Sequence, residues 1–134
     1  SRANGYGAHT QSYFESANDA VAVLPQVETP AGVENAEEIA RVDGVDTLFV
    51  GPADLSANLG CFGEYDDPTF REAFERVLAA GEAAGVPVGT LATGPAGIDS
   101  WHDAGVDYLV AGTDVGYLRQ GARAAREHYE SLFE

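Results

Sequence analysis

Three stretches of this chain repeat one arrangement: a glycine stops a helical pattern, a short apolar run follows, and a second glycine opens a loop. They are Gly44-Val45-Asp46-Thr47-Leu48-Phe49-Val50-Gly51, Gly85-Val86-Pro87-Val88-Gly89-Thr90-Leu91 running into Thr93-Gly94-Pro95, and Gly105-Val106-Asp107-Tyr108-Leu109-Val110-Ala111-Gly112. Val21 to Val27 supplies a fourth apolar run, ending at Glu28. Glycine tolerates the left-handed conformation at a helix end, so each first glycine reads as a helix stop. Apolar runs that do not alternate suit strands covered on both faces, as in a parallel sheet.

The segments between the runs have helical spacing. Asp67-Pro68 reads as an N-cap followed by proline at the first helical position, after which Phe70, Phe74, Val77 and Leu78 share a face. Val33, Ala36 and Ile39 mark a shorter helix, Ile98 and Trp101 another. Leu118, Ala122, Ala125, Tyr129 and Leu132 line a terminal one. The expected fold class is α/β: four βα units in a single domain over 1–134, preceded by a helix or loop from Ser1 to Asp19. Such a set could build an open doubly wound sheet or half of a (β/α)₈ barrel, which takes about 250 residues.

Charge narrows the partners. The chain carries 22 acidic residues against 7 arginines and no lysine, for a formal net charge of −15. Nucleic acid and anionic membranes need a basic footprint that is absent here. The carboxylates are spread over every predicted helix, which fits a high-salt cytoplasm better than an acidic partner-binding face. On this halophilic reading the melting temperature is expected to rise between dilute buffer and molar KCl, because salt screens the self-repulsion; a flat or falling trend would count against it. The single Cys61 excludes an intrachain disulfide and fits a reducing compartment. No apolar run approaches the roughly 20 residues of a membrane span.

In parallel α/β folds, chemistry collects where strands end. Glu28 closes the run Pro25-Gln26-Val27, and Asp54 follows the first of the three stretches, whose apolar run ends at Val50, through Gly51-Pro52-Ala53. On adjacent strands about 4.8 Å apart, both carboxylates could reach one cation, and such an open oxygen site suits Mg²⁺ or Mn²⁺. The alternative is that Glu28 caps the next helix and Asp54 is a loop or N-cap residue. Gln26 shares the face of Glu28 by strand alternation, and a polar pair ending an apolar strand is costly unless it is used. Without lysine, the chain itself can supply neither a lysine imine for aldol chemistry nor a P-loop. His9, His102 and His128 sit away from strand ends, and Cys61 reads as a small apolar filler.

At Gln26-Val27-Glu28-Thr29 and at Gly51-Pro52-Ala53-Asp54-Leu55-Ser56-Ala57-Asn58-Leu59-Gly60 the sequence resembles the HpcH/HpaI aldolase family, whose namesake is 4-hydroxy-2-oxoheptanedioate aldolase. The likeness extends from Tyr6-Gly7 and Ala17-Asn18 to Phe133. It implies the carboxyl-terminal half of a (β/α)₈ TIM barrel and a lyase of the divalent-metal class. Such an aldolase cleaves a 4-hydroxy-2-oxo acid into pyruvate and an aldehyde. By resemblance, Glu28 and Asp54 are the metal ligands, for Mg²⁺ or Mn²⁺ or else Co²⁺. Gln26 is a substrate ligand, and Ala53 offers its backbone amide to the 2-oxo acid. The metal would stabilise the pyruvate enolate.

The resemblance also places the general-base histidine and a transition-state arginine on strands of the amino-terminal half. Neither Arg2 nor His9 matches those positions, so no catalytic acid–base residue is expected within the chain. A homo-oligomer, a hexamer by family likeness, is implied for the complete enzyme. Two other readings stay open: a piece of a citrate-lyase-β-like or malyl-CoA-lyase-like enzyme, and a non-catalytic metal-binding remnant.

Overall fold

The computed structural model describes residues 2–133. After a 3-10 segment at Arg2–Gly7 and helix α1 (Thr10–Ala20) come the four strands. These are β1 (Gln26–Val27), β2 (Leu48–Val50), β3 (Val88–Ala92) and β4 (Tyr108–Ala111). Helices α2 (Pro30–Glu34) and α3 (Ala36–Ala40) follow β1, and α4 (Pro52–Asn58) and α5 (Pro68–Ala84) follow β2. Helix α6 (Gly94–Asp103) follows β3, and α7 (Asp114–Ser131) follows β4.

All pairings are parallel and the sheet order is β1-β2-β3-β4. That order resolves what the pattern of runs left open. A doubly wound sheet reverses direction at a switch point, whereas strands laid down in unbroken sequence order are the arrangement of a barrel wall.

The register sorts the side chains into two faces. Gln26, Phe49, Gly89 and Tyr108 are mutual neighbours across the sheet, as are Val27, Val50, Thr90 and Leu109. The second face carries the core: Val27, Leu48, Val50, Val88 and Ala92 are buried against Val33, Ala36 and Ala40 of α2 and α3, Leu55 of α4, and Phe70, Phe74 and Val77 of α5. Thr90, fully buried on this face, satisfies its hydroxyl by donating to the Val50 carbonyl at 2.9 Å. Among the described residues, the helical part of the buried core lies on the second face and not on the first. On the first face Tyr108 lies across the sheet, its hydroxyl donating to the Leu48 carbonyl at 3.2 Å. Its ring rests where a Cβ on Gly89 would stand only 2.3 Å away, so only glycine admits it.

Four expectations need correction. The first apolar run is ladder-paired only at its end: Val21, Val23 and Leu24 are 42–55% exposed. The short helix around Val33 is two, α2 and α3, broken at Asn35, whose side chain donates to the Ala31 carbonyl at 2.7 Å. A side-chain amide that takes a backbone carbonyl in this way competes with the helix ladder. Asp54 is neither a loop nor an N-cap residue but lies in the first turn of α4, which starts at Pro52 because proline's missing N–H costs nothing there. The stripe along α7 exists, but Leu118, Tyr129 and Leu132 are 62–73% exposed, because no described element packs over it.

The caps behave as read. The Asp67 carboxylate accepts from the Thr69 backbone N–H at 2.7 Å, opening α5. Hydrogen bonding from the Thr69 side chain, and then from its backbone, holds this carboxyl below the ordinary range. A lowered folded value means stability that is complete above the unfolded pKa and lost as pH falls through the folded one. The Tm advantage of the native chain over Asp67→Asn, which keeps a cap acceptor but no charge, is therefore expected to be largest near neutrality and to close below about pH 4. A gap that stays constant through that range would refute the assignment. Cys61 is buried in the core, where desolvation and then the Asp67 and Glu64 carboxylates push its thiol up, as befits an inert filler.

Candidate functional site

Glu28 follows β1 on the first face, opposite to Val27, which points into the core. Thr29, not Glu28, caps α2: its hydroxyl accepts from the Gly32 N–H at 3.0 Å. Glu28 is instead met by Gln26, two residues earlier on the same face, whose amide donates to the carboxylate at 2.6 Å. Asp54 is likewise not a cap, since the N-cap of α4 is Gly51 and no side chain closes that end. Capping of the two helix starts thus falls to Thr29 and Gly51, and not to these carboxylates.

The two strand ends are tied together by their backbones. The Gly51 N–H donates to the Val27 carbonyl at 3.2 Å, continuing the β1–β2 ladder to its last rung. The Asn58 side-chain amide spans the gap, donating to the carbonyls of both Glu28 (2.9 Å) and Asp54 (3.0 Å). Buried Ser56 braces the helix that presents Ala53 and Asp54. Its hydroxyl donates to the Ala53 carbonyl at 2.9 Å and accepts from the Gly63 N–H at 3.1 Å.

Beside this junction opens a cavity of about 460 Å³, whose lining includes Gln26, Ala53, Asp54, Tyr65, Leu91 and Trp101. Glu28 borders Gln26 but is not part of that lining. Among the described residues, neither Glu28 nor Asp54 has a cationic partner: the arginine ion pairs are Arg41–Glu37, Arg71–Asp66, Arg123–Glu127 and Arg126–Glu130, all on helices or loops elsewhere. Two carboxylates without cationic partners, presented from adjoining strand ends, suit a hard divalent cation that completes its shell with water or substrate oxygen. No group of three or more potential metal ligands occurs among the described residues, so a closed structural-zinc site does not fit.

The other candidates are dispersed. His9 precedes α1, His102 sits near the end of α6 beside Asp103, and His128 is in the last turn of α7; none lines the cavity. Thr113 is the N-cap of α7, accepting from the Gly116 N–H at 3.1 Å. The reading from residues alone passed over two positions. Asn58 lies within the second motif but looks like any helix-ending asparagine, and the significance of Gly51 depends on what stands across the sheet from it.

Comparison with known proteins identifies the family and the fold. The family model described as HpcH/HpaI aldolase/citrate lyase matches residues 2–120. A hydroxypyruvate/pyruvate aldolase of Paraburkholderia phytofirmans is 35% identical over 130 residues, which are 97% of this chain and 50% of that protein. A 5-keto-4-deoxy-D-glucarate aldolase of Escherichia fergusonii is 34% identical over 129 residues, 96% of this chain and 50% of its own length. Among solved structures, an HpcH/HpaI aldolase/citrate lyase family protein of Burkholderia cenocepacia J2315 superposes with a TM-score of 0.79 at 42% identity, covering 90% of this chain and 47% of that one. The chain spans about half the length of the curated relatives it matches. With a family match running from the first described residue into the first turns of α7, and the same parallel βα architecture in a relative of known structure, this chain belongs to the HpcH/HpaI aldolase/citrate lyase family.

Proposed function

We propose that these residues form the cation- and oxo-acid-binding portion of a pyruvate aldolase, the carboxyl-terminal half of a (β/α)₈ barrel that cleaves a 4-hydroxy-2-oxo acid into pyruvate and an aldehyde. The observation that carries this reading is the junction itself. Glu28 is oriented by Gln26 at 2.6 Å, opposite the core-facing Val27 and beside the strand end that leads to Asp54, which among the described residues has no cationic partner. Glu28 and Asp54 would hold Mg²⁺ or Mn²⁺ (Co²⁺ has the same donor preference here). When bound, the ion supplies Lewis-acid stabilisation of negative charge developing on the 2-oxo acid.

The chain's own groups then have separate tasks. Glu28 and Asp54 set the site's negative charge and Gln26 fixes the Glu28 oxygen while presenting an amide to the substrate. The Ala53 backbone amide, at the start of α4, meets the substrate carboxylate. Proton removal from the 4-hydroxyl needs a base, and none of the three histidines lines the cavity. That group, with the arginine that would stabilise developing charge, is assigned to complementary βα units, and a homo-oligomer of complete barrels is the working assembly. The partner is a small oxo acid, in keeping with a chain at −15 and with no helix among the described residues long and apolar enough to cross a membrane. A reducing, high-salt cytoplasm is the proposed setting.

The deciding experiment measures pyruvate release from 4-hydroxy-2-oxo acids with Mg²⁺ or Mn²⁺ in high salt, first for the chain alone and then joined to four amino-terminal βα units of a family relative. No turnover alone and turnover when joined is the expected pair of results. Robust cleavage by the chain alone would reveal a base within it and overturn the division of labour.

A further inference from the structure

Resting on the site proposed above, we infer that Gly51 is its positioning residue: the missing side chain at this point is what lets the Gln26 amide close on the Glu28 carboxylate. The backbone at Gly51 has φ −84° and ψ 92°, a conformation open to any residue, so nothing in the chain's path demands glycine. What demands it is space. Extending the β1–β2 register by one residue sets Gly51 beside Glu28. A Cβ there would lie 2.4 Å from Gln26 Nε2, 3.3 Å from Gln26 Cδ and 3.1 Å from Glu28 Oε2. It would stand in the contact between the two side chains.

Which side gives way is decided by the backbone. Gly51 is pinned at both ends: its N–H donates to the Val27 carbonyl at 3.2 Å, and its carbonyl accepts from the Leu55 N–H at 2.9 Å, the bond that starts α4. Moving that backbone would break the ladder and the helix together. The obstructing atoms, by contrast, are the far end of the Gln26 side chain, which has rotamers to spare. A methyl at position 51 therefore displaces the Gln26 amide and frees Glu28 while the fold stays intact. This separates positioning from support of the fold: Gly51 acts on the site through Gln26.

The test uses the whole chain with Mn²⁺ as the probe. In the metal-free protein, the Gln26 side-chain amide, assigned by its loss in Gln26→Ala, is expected at a shifted, hydrogen-bonded position in a ¹H–¹⁵N spectrum. In Gly51→Ala it should move to the position of a solvated glutamine amide, while the backbone amides of Val50 and Thr90 stay put. The dissociation constant for Mn²⁺ should rise by about 10–100-fold, the range for losing a partner that orients a ligand. In a Gln26→Ala background the same Gly51→Ala change should have much the smaller effect, because the 2.4 Å obstruction is gone and only the 3.1 Å approach to Glu28 Oε2 remains.

An unchanged Gln26 amide in Gly51→Ala would overturn the inference. So would a Gly51 effect that persists undiminished without Gln26. Should Gly51→Ala fail to fold, the Gln26→Ala/Gly51→Ala double variant decides: folding supports the collision with Gln26, and failure refutes it. A native chain without Mn²⁺ affinity would sink the metal reading, and the amide resonance would still settle the role of Gly51.

Discussion

Removing either carboxylate, by Glu28→Ala or Asp54→Ala, is expected to abolish Mn²⁺ binding by the chain and pyruvate release by the joined enzyme. Losing a partner that merely orients a ligand typically costs about 10–100-fold in metal affinity, and losing a ligand itself should exceed that. A site with only two protein carboxylates has no third to take over, since no larger group of potential ligands exists among the described residues. The fold should not suffer. Glu28 and Asp54 lie opposite the core-facing side of the sheet and in an exposed first turn, not in the core, so circular dichroism and Tm should be nearly unchanged. The useful control is Asn58→Ala. Its amide ties the Glu28 and Asp54 backbones without offering a charge, so affinity should fall by less than for either carboxylate. Calorimetric titration reads all three. Full affinity in Glu28→Ala or Asp54→Ala would remove the assignment.

Phe70→Ala is expected to cost about 3–5 kcal/mol, the range for emptying a well-packed aromatic site, which is a large share of the about 5–15 kcal/mol that holds a typical domain. Phe70 is 1% exposed and meets three other aromatic rings: Tyr65 at 5.2 Å, Phe74 at 5.9 Å and Trp101 at 6.1 Å between centroids. That cluster joins α5 to α6 and to the loop carrying Tyr65, one wall of the cavity. The cavity left by Phe70 is hemmed in by rigid rings, so little collapse can offset the loss. Leu118→Ala on α7 supplies the contrast. Leu118 is 73% exposed, and in the isolated chain its truncation should move stability by no more than about 0.5 kcal/mol. Urea unfolding of the two variants side by side measures both; equal losses would mean that the α7 stripe is covered and that the exposure argument is wrong.

The sequence alone determined the kind of element at each point. Glycines at 44, 85 and 105 mark the helix-to-strand returns, and all three adopt positive φ, where a β-carbon is a liability. The Asp67-Pro68 cap and the face of Phe70, Phe74 and Val77 were legible because capping and helical period are local properties, expressed within a few residues. The strand-end motifs holding Gln26, Glu28, Ala53 and Asp54 were legible for the same reason, and the family they resemble is the one to which the chain belongs.

Order, facing and coverage were decided only by the tertiary structure. An apolar run does not say which run lies beside it, so the barrel-like order β1-β2-β3-β4 had to come from the pairing. Helical spacing marks α7 as amphipathic in the same way as α5, yet one stripe is buried and the other exposed, because burial depends on what packs opposite and not on the helix itself. The bridge from Asn58 to Glu28 spans 30 residues of chain, and the space that Gly51 leaves for Gln26 spans 25. Both are contacts across a β ladder, and register, which no local pattern encodes, is what creates them.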